Sequence, residues 1–135
     1  MSTTAIQNIS VIGLGTIGHS VVQMFATADC RVRCFDPSPA VREGIESRIR
    51  GNLSQMVDAN LFIQEDIETV LGQITICDTE KEALVGAEFV SEAASEDLEL
   101  KQALFSRMEE SVDVETILAS NTSTHPMTHI ARLMK

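Results

Sequence analysis

Short apolar segments alternate along the chain with longer segments in which apolar side chains recur at every third or fourth position. The short segments are typical of buried strands, and the longer spacing is typical of amphipathic helices. Five strands are predicted, at residues 9–12, 31–35, 74–77, 88–93 and 116–119. Strands that alternate with helices favour a parallel sheet, because parallel neighbours need crossover connections. We therefore predict a doubly wound α/β fold with a mainly parallel sheet.

Helices are predicted in the intervals between these strands. Ser38 is a good N-cap and Pro39 suits the first helical position, so a long helix begins there and continues through Val57. We expect residues 61–71 to fold back on it, which makes the pair a helical-hairpin insertion after the second strand. The other predicted helices are residues 16–28, 80–85, 98–108 and the segment from Pro126 to the C-terminus.

The composition fits a single globular domain over residues 1–135. Hydrophobic residues make up 44% and charged residues 22% of the chain, which is ordinary for one folded domain. Aromatic residues make up only 4%, with neither Trp nor Tyr, so the core must be built from aliphatic side chains. Such a core suits a sheet that is covered on both faces.

The charge balance argues against some classes of partner. Twenty acidic residues against ten Lys and Arg give a net charge of −10, which repels nucleic-acid backbones and anionic membrane surfaces. We expect neither nucleic acid nor a membrane as a partner. The first ten residues carry no Lys or Arg, unlike a signal or transit peptide, and the three cysteines have no paired spacing. We therefore expect reduced thiols in a cytoplasmic protein.

A glycine pattern of the form GxGxxG follows the first predicted strand and opens the first predicted helix. Its residues are Gly13, Leu14, Gly15, Thr16, Ile17 and Gly18. In dinucleotide-binding folds of the Rossmann type, the first glycine permits a tight turn and the second lets the backbone approach a pyrophosphate. The third lets the helix pack closely on the strand. This context favours dinucleotide binding over a purely structural glycine turn.

Asp36 ends the second predicted strand, eighteen residues after Gly18, and indicates which dinucleotide is bound. A carboxylate there can accept hydrogen bonds from both hydroxyls of the adenosine ribose and repels a 2′-phosphate, which favours NAD over NADP. FAD-binding proteins use the same glycine pattern, so the glycines alone do not distinguish NAD from FAD as the cofactor.

Three segments resemble one family of NAD-dependent enzymes. Residues 11–18 match its first strand and glycine turn, residues 92–101 its fourth-strand motif, and residues 119–124 its fifth-strand signature. Over essentially its whole length the chain resembles the N-terminal NAD-binding domain of the L-3-hydroxyacyl-CoA dehydrogenase family. The resemblance implies NAD as cofactor and hydride transfer between NAD and the C3 hydroxyl of a 3-hydroxyacyl substrate.

The resemblance also implies roles for residues after the fourth and fifth strands. Glu96 and Lys101 are implied to contact the nicotinamide-side ribose, and Ala93 is implied to lie against the cofactor. Ser123 matches a serine that the family places beside the substrate hydroxyl and the cofactor, and Asn121 lines the same loop. No role is given to the other acidic residues of this stretch, Glu92, Asp97 and Glu99.

The family's remaining catalytic groups are expected beyond Lys135. In this family a histidine polarises the substrate oxygen and exchanges its proton, oriented by a glutamate. A helical domain completes the substrate pocket and forms the homodimer of the full-length protein. We therefore expect these 135 residues to bind NAD(H) without catalysing the reaction alone.

One departure from the family concerns the substrate. No Lys or Arg lies between Gly51 and Thr79, where the family uses basic and hydroxyl side chains near the CoA nucleotide, and Asn52 stands in place of a serine. The phosphates of CoA call for cations. A 3-hydroxyacyl-CoA stays the favoured substrate, and a small hydroxy acid such as carnitine or gulonate is the alternative. A module that senses NAD(H) without catalysis is a third hypothesis.

The three histidines are not expected to bind a metal. His125 and His129 stand four residues apart, but no carboxylate motif accompanies them, which favours surface histidines. His19 follows the glycine turn directly, and we expect it to be partly exposed in the first turn of the helix.

Overall fold

The computed structural model describes residues 5–135, which form one parallel sheet flanked by helices. Its strand order is β3-β2-β1-β4-β5, and every neighbouring pair is parallel. The strands are β1 (Asn8–Ile12), β2 (Arg31–Phe35), β3 (Ile74–Ile76), β4 (Phe89–Glu92) and β5 (Ile117–Ser120). The predicted doubly wound α/β fold of the Rossmann type is confirmed.

The described chain has six α-helices, five between strands and one after β5. They are α1 (Thr16–Thr27), α2 (Pro39–Asp58), α3 (Ile67–Gly72), α4 (Glu80–Leu84), α5 (Leu98–Ser111) and α6 (Met127–Ile130). Short 3-10 turns precede α3 and follow α6, at Gln64–Asp66 and Ala131–Leu133. Within residues 5–135, none of these helices combines the length and the apolar character that crossing a bilayer requires.

Each face of the sheet buries its own aliphatic core. On one face Val11 and Val32 pack with Val22 of α1 and with Ile49 and Leu53 of α2. On the other face the core is formed by Ile12, Val90, Leu104, Phe105, Met108 and Ile130. Two-sided burial explains why β1 and β4 are buried at nearly every position, including the polar Ser10, Ser91 and Glu92.

The sheet changes direction between β1 and β4. From β1 the chain proceeds outward to β2 and β3, and it then returns to add β4 and β5 on the opposite side. In open α/β sheets the loops on the two sides of such a switch point diverge and leave a crevice at the carboxyl ends of the strands. The fold therefore places the ends of β1, β2 and β4 around one cleft.

The helical insertion after β2 is present, but its second arm is shorter than predicted. Ser38 caps α2 as expected, since its Oγ accepts a hydrogen bond from the Val41 N–H at 3.4 Å. Residues 61–71 do not form one helix, because α3 begins only at Ile67. Asn60 has φ of 59° and Ile63 is extended, so the backbone reverses and straightens before it can become helical.

The last helix is also shorter than predicted. It covers only Met127–Ile130 instead of continuing to the C-terminus. Side chains of α5 bind backbone carbonyls at this end: Gln102 Nε2 donates to His129 O at 2.8 Å, and Ser106 Oγ donates to Leu133 O at 3.4 Å. The helical segment ends because Met134 has an extended backbone, with φ of −74° and ψ of 158°.

Candidate functional site

A cavity of about 540 Å³ opens above the carboxyl ends of β1, β2 and β4. Its floor is formed by the glycine turn and its sides by the segments that follow β2 and β4. The lining residues include Gly13, Gly15, Thr16, Ile17, Asp36, Ala93, Glu96 and Asn121, all of which the sequence singles out. The structure therefore brings eight of the predicted site residues to one cleft.

The three glycines of the turn have different surroundings. A Cβ on Gly13, whose φ is 93°, would lie 2.6 Å from the Ala93 carbonyl carbon, and a Cβ on Gly18 would lie 1.8 Å from the Gly13 oxygen. These two glycines let backbone segments approach each other. A Cβ on Gly15 would meet nothing within 4 Å. Gly15 lines the cavity, so at this position the missing side chain leaves open space and is not needed for contact between protein segments.

The N-terminus of α1 faces the cavity without an acidic or capping side chain. Gly15 is the N-cap residue, no side chain accepts from the first turn, and that turn contains no acidic residue. The amide groups at Thr16 and Ile17 are among those left without an intrahelical acceptor, and both residues line the cavity. Free amides at the positive end of a helix bind anionic groups such as phosphates.

His19 contacts the backbone of this turn. The expectation that it would be partly exposed is wrong. Its side chain is buried, with 7% exposure. Nδ1 lies 2.9 Å from the carbonyl oxygen of Gly15. Since a carbonyl oxygen can only accept, the ring donates through Nδ1–H and folds back along its own helix instead of facing solvent.

Asp36 borders the cavity and is bonded to the glycine turn. Its Oδ2 accepts a hydrogen bond from the Leu14 N–H at 2.9 Å, and its Oδ1 accepts one from the Ser38 N–H at 2.9 Å. Leu14 itself is fully buried, so it contributes its backbone and not its side chain to the site. Arg42 donates to the Asp36 carbonyl at 2.8 Å and packs over the Phe35 ring at 5.5 Å.

Glu96 and Lys101 differ in their access to the cavity. The Glu96 side chain is 45% exposed and lines the cavity, whereas the Lys101 side chain is fully buried. The Lys101 ammonium lies 3.7 Å from Glu96 Oε1 and donates to the Ala94 carbonyl at 3.2 Å. Its shortest contact, 2.5 Å, is with Glu92 Oε1. The ammonium therefore sits behind the cavity wall and not on its surface.

Glu92 belongs to the site, although no role is given to it on the sequence. Its carboxylate is completely buried at the end of β4. It accepts hydrogen bonds from the Ala94 N–H at 2.6 Å, from Lys101 and from the Ser120 hydroxyl. A sequence signal was present, because a glutamate ends an apolar strand and a lysine interrupts the apolar face of the next helix.

The loop after β5 closes this side of the cleft. Asn121 lines the cavity and donates through Nδ2 to Ser91 Oγ at 3.0 Å. The Thr122 hydroxyl donates to Glu96 Oε2 at 2.7 Å, which holds the pKa of that carboxyl below its usual value. Ser123 is exposed on the same loop, outside the cavity that the described residues form.

The cavity is also lined by an ion pair that no sequence pattern predicts. Arg107 Nη2 lies 3.1 Å from Glu80 Oε2, and its Nε lies 3.3 Å from Glu80 Oε1. Both residues line the cavity beside Leu100 and Leu104. The partners are 27 residues apart and on different helices, so no local pattern reveals their pairing.

Of the two later histidines, only His129 is a surface residue as predicted. His125 is half-buried, and its Nε2 is buried without a hydrogen-bond partner in the described part of the chain. Its position close to Glu96 adds to the lowering of the pKa of that carboxyl. Among residues 5–135, no three His, Cys, Asp or Glu side chains are grouped as metal ligands would be.

Comparison with known proteins gives a match over nearly the whole chain. Residues 8–135 match the family model described as 3-hydroxyacyl-CoA dehydrogenase, NAD binding domain. A probable 3-hydroxybutyryl-CoA dehydrogenase of Bacillus subtilis is 32% identical over 126 residues, which are 93% of this chain and 44% of that protein. An L-carnitine dehydrogenase of Streptomyces coelicolor is 29% identical over 91% of this chain and 37% of that protein.

A solved structure agrees with these sequence matches. The crystal structure of FadB2 from Mycobacterium tuberculosis superimposes with a TM-score of 0.92 at 30% identity and covers 98% of this chain. The match covers 46% of the FadB2 chain. The present chain thus spans less than half the length of the relatives that it matches.

Proposed function

The chain belongs to the 3-hydroxyacyl-CoA dehydrogenase family as its NAD-binding domain, and from this membership we propose that it binds NAD in the cavity above β1, β2 and β4. The observation that carries the proposal is the open space at Gly15, where a Cβ would meet nothing within 4 Å, beside the free amides of α1. A turn of this shape accepts a pyrophosphate close to the backbone.

Each end of the cavity would hold one half of the cofactor. The backbone amides at Thr16 and Ile17 would bind the pyrophosphate, and Asp36 would accept hydrogen bonds from the adenosine ribose. Glu96 and Asn121, on the other side of the glycine turn, would hold the nicotinamide half. Bound NAD supplies a hydride acceptor, and these residues bind and orient it. The role of Lys101 would be indirect, because its ammonium lies behind the wall.

For the full-length protein we propose oxidation of the C3 hydroxyl of a 3-hydroxyacyl-CoA. The proton-handling histidine, its glutamate and the rest of the substrate pocket would lie outside these 135 residues, and Ser123 would approach the substrate hydroxyl from the exposed loop. The chain alone would then bind NAD(H) without turnover. We also infer a cytoplasmic homodimer for the full-length protein, which sedimentation and cell fractionation can test.

A hydroxy acid without CoA is a second candidate substrate. The groove between α1 and α2 is lined by neutral polar side chains, among them Gln23, Asn52 and Gln55. Residues 52–78 contain no Lys or Arg. A surface without cations is a poor receptor for the phosphates of CoA. Oxidation of carnitine or gulonate by the full-length enzyme, without activity on 3-hydroxybutyryl-CoA, would establish this alternative.

NADH fluorescence offers a direct test of cofactor binding. The chain contains neither Trp nor Tyr, so its own emission does not interfere with that of NADH. We expect a saturable change in NADH emission on addition of the chain, which excess NAD reverses. No change in emission, or a change that NAD does not reverse, would contradict the proposal.

A further inference from the structure

Glu92 is one of five residues that form a closed ring of polar contacts behind the cavity. Lys101 and Ser120 both donate to its buried carboxylate. The Thr122 N–H donates to Ser120 Oγ at 3.2 Å, and the Thr122 hydroxyl donates to Glu96 at 2.7 Å. Glu96 lies 3.7 Å from the Lys101 ammonium, which completes the ring.

This ring joins the two loops that border one side of the cavity. The segment after β4 carries Glu96, and the segment after β5 carries Asn121. Besides the side-chain contacts, the Asn121 N–H donates to the Glu92 carbonyl at 2.8 Å. Only one residue of the ring, Glu96, reaches the cavity, and the other members lie behind it.

The ring contains more negative than positive charges. Two carboxylates, Glu92 and Glu96, share one ammonium, and the contact of Lys101 with Glu92 is the shorter at 2.5 Å against 3.7 Å. A fully buried ammonium needs a close counter-charge. Because Glu92 supplies it, Glu96 keeps a carboxylate that is turned toward the cavity and is free to accept from a ligand.

We propose that Glu92 is a positioning residue for cofactor binding, which holds Lys101 and the Ser120 loop so that Glu96 and Asn121 stay directed at the nicotinamide half of the dinucleotide. The inference rests on the proposed NAD binding. Without the Glu92 charge, the Lys101 ammonium turns to Glu96 as its remaining nearby carboxylate and withdraws it from the cavity.

The variant Glu92→Gln tests this role, because it keeps the shape of the side chain and removes its charge. ADP contains the adenosine and the pyrophosphate but lacks the nicotinamide ribose. In calorimetry on the 135-residue chain, Glu92→Gln should bind NAD about tenfold more weakly, the loss of one charge-assisted hydrogen bond, and should bind ADP as the unaltered chain does. Glu99→Gln removes the same charge from an exposed site on α5 and is the matched control.

A second variant serves if Glu92→Gln fails to fold. Ser120→Ala removes the hydrogen bond from Ser120 to Glu92 and keeps the buried ion pair. It should also lower the affinity for NAD relative to the affinity for ADP. The role of Glu92 would be overturned if a variant with an intact thermal transition lost affinity for NAD and ADP equally, or lost affinity for neither. Failure of the unaltered chain to bind NAD would instead overturn the proposed function, and this inference with it.

Discussion

The carboxylate of Asp36 accepts a hydrogen bond of 2.9 Å from the backbone N–H of Leu14. The end of β2 is thereby bonded to the glycine turn that follows β1, and the acid that would bind ribose also shapes the turn that we propose binds the pyrophosphate. Its second oxygen accepts from the Ser38 N–H, so its orientation is fixed before any ligand arrives. Pre-oriented groups lose less conformational entropy on binding.

Replacing Asp36 should change the choice between dinucleotides. Asp36→Asn keeps one oxygen for the Leu14 N–H, loses the hydrogen bond from the Ser38 N–H, and removes the charge that repels a 2′-phosphate. We expect NAD affinity to fall by about tenfold, and the NAD to NADP affinity ratio to fall at least as much. Calorimetric titration with both dinucleotides measures this ratio. Asp78→Asn, which removes an exposed acid outside the cavity, is the control. An unchanged ratio would exclude the ribose role of Asp36.

Alanine substitutions at two glycines should separate binding from folding. A Cβ at Gly15 meets no atom within 4 Å and the residue has φ of −68°, which alanine adopts, so Gly15→Ala should change stability by under about 1 kcal/mol. It should nevertheless lower the affinity for NAD by about tenfold or more, because the added methyl would occupy the space for the pyrophosphate. Thermal denaturation and NAD titration give the two readouts.

The opposite result is expected at Gly18. A Cβ there would lie 1.8 Å from the Gly13 oxygen, a backbone atom that cannot move without breaking the turn. Gly18→Ala should therefore destabilise the fold by at least about 3 kcal/mol. If Gly15→Ala unfolded the chain while Gly18→Ala left it stable, the assignment of the two glycines would have to be reversed.

Elements and motifs that depend on neighbouring residues could be predicted from the sequence. The range of β2, Arg31–Phe35, matches the prediction residue for residue, and α2 begins after the predicted Ser38 cap. The glycine turn could be found for the same reason, since its three glycines are contiguous with a strand and a helix. In each case the physical cause of the structure lies within a few residues.

Features that depend on tertiary packing could not be predicted in this way. Glu92 and Lys101 meet only because β4 ends beneath α5. The late start of α3 is a further case, since the apolar spacing continues from residue 61 while the left-handed Asn60 turns the backbone away from a helix. Periodicity records which side chains are buried but not how the chain reverses between them.

The pKa of Glu96 should depend on Thr122. The Thr122 hydroxyl holds this pKa below its usual value, so the stabilisation from the hydrogen bond is present above the unfolded-state pKa and is lost as the pH falls through the folded-state pKa. Thr122→Val should raise the pKa of Glu96 toward its usual value. A carbon-detected NMR titration of the side-chain carboxyl measures the change. A pKa that stays low in the variant would assign the shift to Lys101 or His125 instead.

The cysteines should resist alkylation in the folded chain. All three are buried free thiols. Burial raises the pKa of Cys34 to about 12, and burial also raises that of Cys77. At pH 8 these two thiols should stay protonated and unmodified by iodoacetamide, and all three should react once the chain is unfolded in guanidinium. Mass spectrometry of labelled peptides locates the modified residues. Rapid labelling of Cys34 in the folded chain would contradict its burial in the core.

Titration of the unaltered 135-residue chain with NAD, NADP and FAD tests the central claim most directly. The geometry of the glycine turn and Asp36 predicts one NAD bound per chain, with NADP bound more weakly, and membership of an NAD-binding domain family predicts weaker binding of FAD. Calorimetry supplies the stoichiometry and the three affinities under one set of conditions. No binding of NAD, or NADP binding as tightly as NAD, would contradict the account.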